Sequence, residues 1–130
     1  MAYARPAFLF PGQGAQKPGM GRSMYESFSV AKEAWDQADK LLGFPISRVA
    51  FDGPEEDLKL TRHAQLALYV SEVAGMRVLQ GQGVQPAFSA GHSIGEYAAL
   101  VCAGALSFQE GLRLVSVRAG AMDRAAGKCP

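Results

Sequence analysis

A five-residue segment at positions 91–95, GHSIG, constrains the fold of this 130-residue chain more than any other feature. Apolar runs flank it at 86–90 and 97–102. Glycines two positions before and after a serine are typical of a nucleophile elbow, a tight turn between a strand and a helix that holds the serine in a strained backbone. The N–H groups at the start of that helix suit an oxygen that gains negative charge during acyl transfer. The pattern predicts an α/β fold with Ser93 as a covalent catalyst, and an ordinary Gly-Ser turn is the alternative.

A second glycine-rich loop lies near the start of the chain. Residues 8–10 (FLF) predict a buried strand, and residues 11–16 (PGQGAQ) form a loop after it. The loop lacks the third glycine of a dinucleotide fingerprint and the Gly-Lys-Ser/Thr ending of a phosphate loop. Strands of a parallel sheet present their carboxyl ends at one edge, so the backbone N–H groups of Gln13 and Ile94 are candidates for an oxyanion hole. A plain turn is the alternative here.

The region between these motifs has mostly helical periodicity. Apolar residues between positions 31 and 42 predict a helix that Gly43 ends, with Trp35 in its packed face. The acidic segment at 52–56 predicts a turn into a short helix. Thr61 is expected to cap a long helix that reaches about Leu79. The apolar side of that helix comprises Leu66, Tyr69, Val70, Val73 and Val78. Two short strands separated by helices predict a parallel sheet of the α/β class.

The last predicted helix carries an arginine in an unusual position. Residues 107–110 (SFQE) form a capping box, and an apolar stripe follows it, made of Leu112, Val115, Ala119 and Met122. Arg118 falls at the edge of this stripe, whereas Arg113 and Arg124 fall opposite it. A guanidinium held partly out of water favours a carboxylate, which it binds through two parallel hydrogen bonds. An internal salt bridge or a snorkelling side chain is the alternative.

Charge and composition exclude several other classes. The 13 basic and 12 acidic residues are dispersed and nearly balance, so there is no electrostatic footprint for nucleic acid. The apolar stretch at 98–106 is too short to span a bilayer, and residues 1–5 lack the apolar centre of a signal peptide. Cys102 and Cys129 lack the spacing of a zinc site, and a disulfide is not expected. We therefore expect no metal, no nucleic-acid or membrane partner, and a cytoplasmic location, or the mitochondrial matrix in a eukaryote.

Two motifs together resemble the malonyl-CoA:acyl carrier protein transacylase family. They are residues 8–16 (FLFPGQGAQ) and residues 91–100 (GHSIGEYAAL), and the resemblance continues through 61–65 (TRHAQ) and 118–122 (RAGAM). Acyltransferase domains of fatty-acid and polyketide synthases share both motifs. The resemblance implies a parallel-sheet, α/β-hydrolase-like acyltransferase core. Residues 1–130 would form the amino-terminal part of this single domain, truncated before a ferredoxin-like inserted subdomain.

The resemblance also implies a reaction and a set of site residues. A malonyl group would pass from malonyl-CoA to the phosphopantetheine thiol of acyl carrier protein through an ester on Ser93, in fatty-acid or polyketide biosynthesis. The coenzyme A thioester is the substrate, and no cofactor is implied. Arg118 matches the family arginine that holds the malonyl carboxylate. Gln65 would reach the pocket near Ser93 or lie on a helix surface, and His92 would support the elbow by hydrogen bonding. Arg118, His92 and Gln65 are thus the expected substrate-binding residues.

The general base is the part of the chemistry that this sequence does not supply. In the family the base is a histidine far downstream of the arginine helix, beyond position 130. His92 adjoins Ser93 and does not easily reach back across the tight turn, and His63 suits a surface or packing role equally well. The chain alone is expected to be weakly active or inactive, with a carboxy-terminal half as a further partner.

Two other functions remain open at this point. A serine hydrolase or thioesterase of α/β type would use the same elbow on esters, but it has no need of a carboxylate clamp at Arg118. A noncatalytic fragment would instead serve as a folding or interaction half of a larger assembly.

Overall fold

The computed structural model describes residues 5–127 and contains two strands and seven helices within that range. Residues 1–4, part of the segment examined for a signal peptide, and Cys129 lie outside the described residues. In chain order the elements are β1 (Ala7–Phe10), α1 (Arg22–Ser27), α2 (Ser29–Leu42), α3 (Ile46–Asp52), α4 (Glu55–Leu58), α5 (Thr61–Gly81), β2 (Phe88–Gly91), α6 (Gly95–Cys102) and α7 (Phe108–Ala126).

The two strands pair in parallel, as the sequence predicted. Phe10 lies opposite Gly91 at the carboxyl end of the pair, and the next residue, His92, donates its backbone N–H to the Phe10 carbonyl at 3.0 Å. The loop after β1 and the elbow after β2 therefore leave the sheet at the same edge. Alternation along β1 buries Phe8 and Phe10, while Leu9 on the opposite face is 75% exposed. The α/β class with a parallel sheet is confirmed.

Helix α5 lies at the centre of the helical layer and packs against α2, α6 and α7. Its predicted apolar side is buried in full: Leu66, Tyr69, Val70, Val73 and Val78. The predicted cap at Thr61 is wrong, because Thr61 is already the first helical residue. Leu60 has the flanking, non-helical backbone, and its carbonyl accepts from Ala64 N at 2.8 Å to start the helix.

Helices α2 and α7 follow the sequence predictions closely. Gly43 ends α2 with φ 75°, and Trp35 is fully buried. The Ser107 hydroxyl accepts from Glu110 N at 3.1 Å, and the Glu110 carboxylate accepts from Ser107 N at 2.8 Å, which completes the predicted capping box.

The apolar stripe of α7 is buried at Leu112, Val115 and Ala119, but the prediction fails at Met122, which is 42% exposed. Met122 lies near the end of α7, where its sulfur accepts a hydrogen bond from Gln65 near the beginning of α5.

An aromatic contact fixes α7 on α5. The Tyr69 hydroxyl donates to the Phe108 carbonyl at 2.7 Å, and the two rings stack with centroids 5.6 Å apart. This buried contact sets where the later turns of α7 lie along α5.

In the described residues, no helix is both long enough and apolar enough to cross a membrane.

Candidate active site

Ser93 lies in the turn between β2 and α6 with φ 55°. Among residues 5–127 it is the only non-glycine residue with a left-handed backbone. Because the Cβ of an L-residue crowds the following carbonyl there, this conformation costs about 1–2 kcal/mol and persists only where the surroundings enforce it. The structure therefore has the strained strand-turn-helix geometry that the GHSIG spacing predicts.

The two glycines of the motif allow the backbone segments around Ser93 to touch. A Cβ on Gly95 would overlap the carbonyl oxygen of Phe10, and one on Gly91 would overlap the backbone of Gly95. The first turn of α6 therefore packs directly on the end of β1. This close approach, and not only the turn itself, requires glycine at both positions.

Arg118 reaches Ser93 from α7. Its Nη2 donates to Ser93 Oγ at 2.8 Å, and its Nη1 donates to Gln65 Oε1 at 2.7 Å. The guanidinium carbon also lies 5.9 Å from the centroid of the Tyr97 ring. The side chain is half-buried, as its place at the stripe edge predicted. Within residues 5–127 the recorded ion pairs do not include Arg118, so the salt-bridge alternative has no partner in this range.

Gln65 is fully buried, so the helix-surface alternative for this residue is wrong. Its amide oxygen faces Arg118, and its Nε2 donates to Met122 Sδ at 3.1 Å. The apolar periodicity of α7 placed Met122 in the stripe and did not predict this contact. The available signal was that Met122 follows Arg118 by four residues, which puts both on one face of α7.

The two proposed oxyanion donors belong to loops at the same edge of the sheet. Ile94 immediately precedes α6, and its buried side chain anchors the backbone there. The loop that contains Gln13 is held by Gly14 N, which donates to Gln16 Oε1 at 2.7 Å. Within residues 5–127 neither the Gln13 nor the Ile94 N–H has a protein acceptor, so both stay free to bind a ligand oxygen.

Neither histidine is placed as a base for Ser93. The ring of exposed His92 packs against Gly12, where a Cβ would lie 2.7 Å from Nδ1, and the described residues give that ring no hydrogen-bond partner. His92 thus supports the elbow by packing and by its backbone, not by the expected side-chain hydrogen bond. His63 Nδ1 lies 2.8 Å from the Asp57 carbonyl, and its ring contacts Phe44. In the described range the one side-chain hydrogen bond of Ser93 is to Arg118.

An open, mostly apolar surface adjoins the elbow at the end of the sheet. A cavity of about 470 Å³ runs along the exposed end of the sheet from Leu9 and Ala90 to His92.

Cys102 is free and half-buried, and burial raises the pKa of its thiol. No group of three or more His, Cys, Asp or Glu side chains gathers as a metal site in the part of the chain that the structure describes.

A left-handed serine between a parallel strand and a helix, followed directly by the unpaired backbone N–H of Ile94, defines an α/β protein of the nucleophile-elbow class. Residues 7–129 match the acyl transferase domain family. The chain therefore belongs to that family, and the resemblance inferred from its motifs is confirmed.

Several relatives are malonyl transacylases. The malonyl CoA-acyl carrier protein transacylase of Bacillus subtilis is 46% identical over 119 residues, which cover 92% of this chain and 38% of the relative. The Synechocystis enzyme of the same name has a solved structure with a TM-score of 0.90 and 42% identity, covering 94% of this chain and 41% of that one. A malonyl-transacylase bound to a type II PKS acyl-carrier protein gives a TM-score of 0.88 at 41% identity, covering 94% and 40%. The chain thus spans about two fifths of the length of these relatives.

Proposed function

We propose that this chain carries the nucleophile and the carboxylate-binding arginine of a malonyl-CoA:acyl carrier protein transacylase. The observation that carries the proposal is the 2.8 Å contact between Arg118 Nη2 and Ser93 Oγ. In a malonyl ester on Ser93, one carbonyl and one methylene separate the ester oxygen from the free carboxylate. A guanidinium that contacts Oγ is therefore within reach of that carboxylate, and the comparisons favour this function over the hydrolase alternative.

The proposed reaction has two acyl-transfer steps. Ser93 Oγ attacks the thioester carbonyl, the backbone N–H groups of Gln13 and Ile94 stabilise the oxyanion, and coenzyme A leaves as its thiol. The phosphopantetheine thiol of acyl carrier protein then attacks the ester and regenerates the Ser93 hydroxyl. The Ser93 proton needs a base, which we place in the part of the relatives that this chain does not span. The chemistry uses the substrate thioester and requires no cofactor.

Arg118 would change partners during the first step. In the free protein its two terminal nitrogens are divided between Ser93 and Gln65. Acylation converts the Ser93 hydroxyl into an ester oxygen, which is a weaker acceptor, while a carboxylate arrives beside it. Nη2 would then pass to the carboxylate, because a guanidinium binds a charged carboxylate more strongly than a neutral ester oxygen, and Nη1 would stay on Gln65.

Three further sequence-based expectations remain predictions, in addition to the residue roles proposed above. They are the assignment of residues 1–130 to the amino-terminal part of one domain, the cytoplasmic location, and a role of His92 in substrate binding. An acyl carrier protein as the acceptor is part of the proposal, supported by the complex of a relative with such a carrier.

The test uses a chimera in which this chain is followed by the remaining part of the Bacillus subtilis relative. Incubation with malonyl-CoA should add one malonyl group to Ser93, as located by peptide mass spectrometry, and Ser93→Ala should abolish it. An adduct on another residue, or unchanged transfer by Ser93→Ala, would contradict the assignment.

The second part of the test addresses Arg118. Arg118→Ala should lower malonyl transfer by tenfold or more, because loss of a desolvated, charged contact costs about 2–5 kcal/mol. Acetyl transfer should fall much less, since acetyl has no carboxylate. Arg113→Ala, an exposed position on the same helix, serves as the control. Equal losses of malonyl and acetyl transfer in a folded Arg118→Ala protein would refute the clamp.

A further inference from the structure

A continuous chain of hydrogen bonds connects the proposed nucleophile to a methionine on α7. It runs from Ser93 Oγ to Arg118 Nη2 (2.8 Å), from Arg118 Nη1 to Gln65 Oε1 (2.7 Å), and from Gln65 Nε2 to Met122 Sδ (3.1 Å). The four residues come from the elbow, α5 and α7. Within residues 5–127 Met122 makes no hydrogen bond to Ser93 or Arg118, so the hydrogen-bonded route from its sulfur to them passes through Gln65.

The donors and acceptors along this chain permit one orientation of the Gln65 amide. A guanidinium only donates, so Gln65 must present its oxygen to Arg118. Its NH₂ group then points the other way and is buried, where an unpaired donor is costly. A thioether sulfur only accepts, and Met122 Sδ is the acceptor found there. With the amide turned over, two donors would face each other at Arg118 and the sulfur would face an oxygen.

We propose that Met122 is a positioning residue that sets the Gln65 amide and, through it, the direction in which Arg118 presents its guanidinium. The sulfur acts on the guanidinium through the Gln65 amide. Helix α7 thereby supplies both Arg118 and, four residues later, the Met122 sulfur that orients Gln65, the hydrogen-bond partner of Arg118. The expected effect on carboxylate binding rests on the proposed function, whereas the effect on the hydrogen-bond chain itself does not.

The first experiment measures that chain of bonds without ligand. NMR gives the solvent-exchange rates of the Gln65 side-chain NH₂ and the Arg118 guanidinium protons in the 130-residue protein. Met122→Leu keeps the size and apolar character of the side chain but removes the acceptor, and both rates should rise about three- to tenfold. Met122→Gln, which offers an amide oxygen in place of the sulfur, should keep them near the original rates. Met76→Leu makes the same chemical change on a different helix, α5, and should leave both rates unchanged.

The second experiment measures the affinity of each variant for free malonate, with acetate as the comparison. Met122→Leu should weaken malonate about three- to tenfold, and Met122→Gln should restore it. In a Gln65→Leu background, Met122→Leu should cause no further loss of malonate affinity, because the Gln65 amide that connects Met122 to Arg118 is already removed.

Two results would overturn the proposal. One is that folded Met122→Leu protein keeps the original exchange rates of the Gln65 and Arg118 protons. The other is that Met122→Leu lowers malonate affinity equally with Gln65 present and in the Gln65→Leu background, which would make Met122 a packing residue. If Met122→Leu does not fold, the folded Met122→Gln protein decides. Exchange rates of the Gln65 and Arg118 protons near the original values would support the sulfur's role as an acceptor, and raised rates would count against it. Failure of malonate to bind the unaltered protein, with exchange altered as expected, would contradict the carboxylate clamp and still support the positioning role.

Discussion

Replacement of Glu72 by glutamine is expected to change how the stability of this protein depends on pH. Glu72 lies on α5, and its side chain lines a cavity of about 300 Å³ between that helix and β1. Both carboxylate oxygens are buried, and residues 5–127 give them no hydrogen-bond partner. Desolvation penalises the charged form and raises the pKa of Glu72 from 4.5 to about 8.

The direction of the pH effect follows from proton binding. Between pH 4.5 and about 8 the folded state keeps the Glu72 proton, while the unfolded state loses it. The unfolded state therefore binds fewer protons in this interval, and the free energy of unfolding falls as the pH rises. This contribution is full below pH 4.5 and is lost by about pH 8. At about 1.4 kcal/mol per pH unit, the whole interval corresponds to about 5 kcal/mol, of which about 3 kcal/mol is lost by pH 7.

The measurement is urea unfolding, followed by circular dichroism, at several values between pH 4.5 and pH 8. Glu72→Gln stays neutral throughout, so its advantage over the original protein should grow by about 3 kcal/mol between pH 4.5 and pH 7. Glu33→Gln, an exposed position on α2, is the matched control and should follow the original protein. Stability curves of Glu72→Gln and the original protein that stay parallel over this range would refute the reasoning.

Two further predictions concern the placement of α7. Ser107→Ala should lower the free energy of unfolding by about 1 kcal/mol, because the hydroxyl accepts from Glu110 N at 3.1 Å in the capping box; urea unfolding checks this, and an unchanged midpoint would contradict it. Tyr69→Phe keeps the stacked ring but removes the buried 2.7 Å hydrogen bond to the Phe108 carbonyl, so it should cost about 1–2 kcal/mol in the same assay. A stability equal to that of the original protein would mean that stacking alone holds the two helices.

The sequence predicted the elbow well because steric rules leave few alternatives. Glycines on both sides of Ser93, between two apolar runs, match one strand-turn-helix geometry, and the structure has it. Helix ends were less predictable where they depend on the conformation of the preceding segment. Thr61 is a residue type that favours the N-cap position, but after the turn from α4 the N-cap residue is Leu60. Helices α1 and α3 are short, with six and seven residues, and carry too few periodic positions to be detected from the sequence.

The contacts within the site depend on packing between helices distant in sequence. Periodicity put Arg118 at the edge of an apolar stripe, and the structure agrees. That its guanidinium meets both Ser93 and Gln65 follows from the position of α7 on α5, which the Tyr69 contact with Phe108 sets. The sequence did not predict the burial of the Glu72 carboxylate either, because that burial depends on how β1 lies against α5.

The left-handed backbone of Ser93 has a consequence for how such proteins change over generations. Glycine adopts φ 55° without the steric penalty that serine has there, so the residue that we propose as the nucleophile is not the one that the backbone prefers. Copies of the gene freed from selection for catalysis would therefore tend to drift toward glycine at this position while keeping the flanking glycines and the fold. Retention of serine at position 93 in a lineage is in this respect a record of continued selection for chemistry.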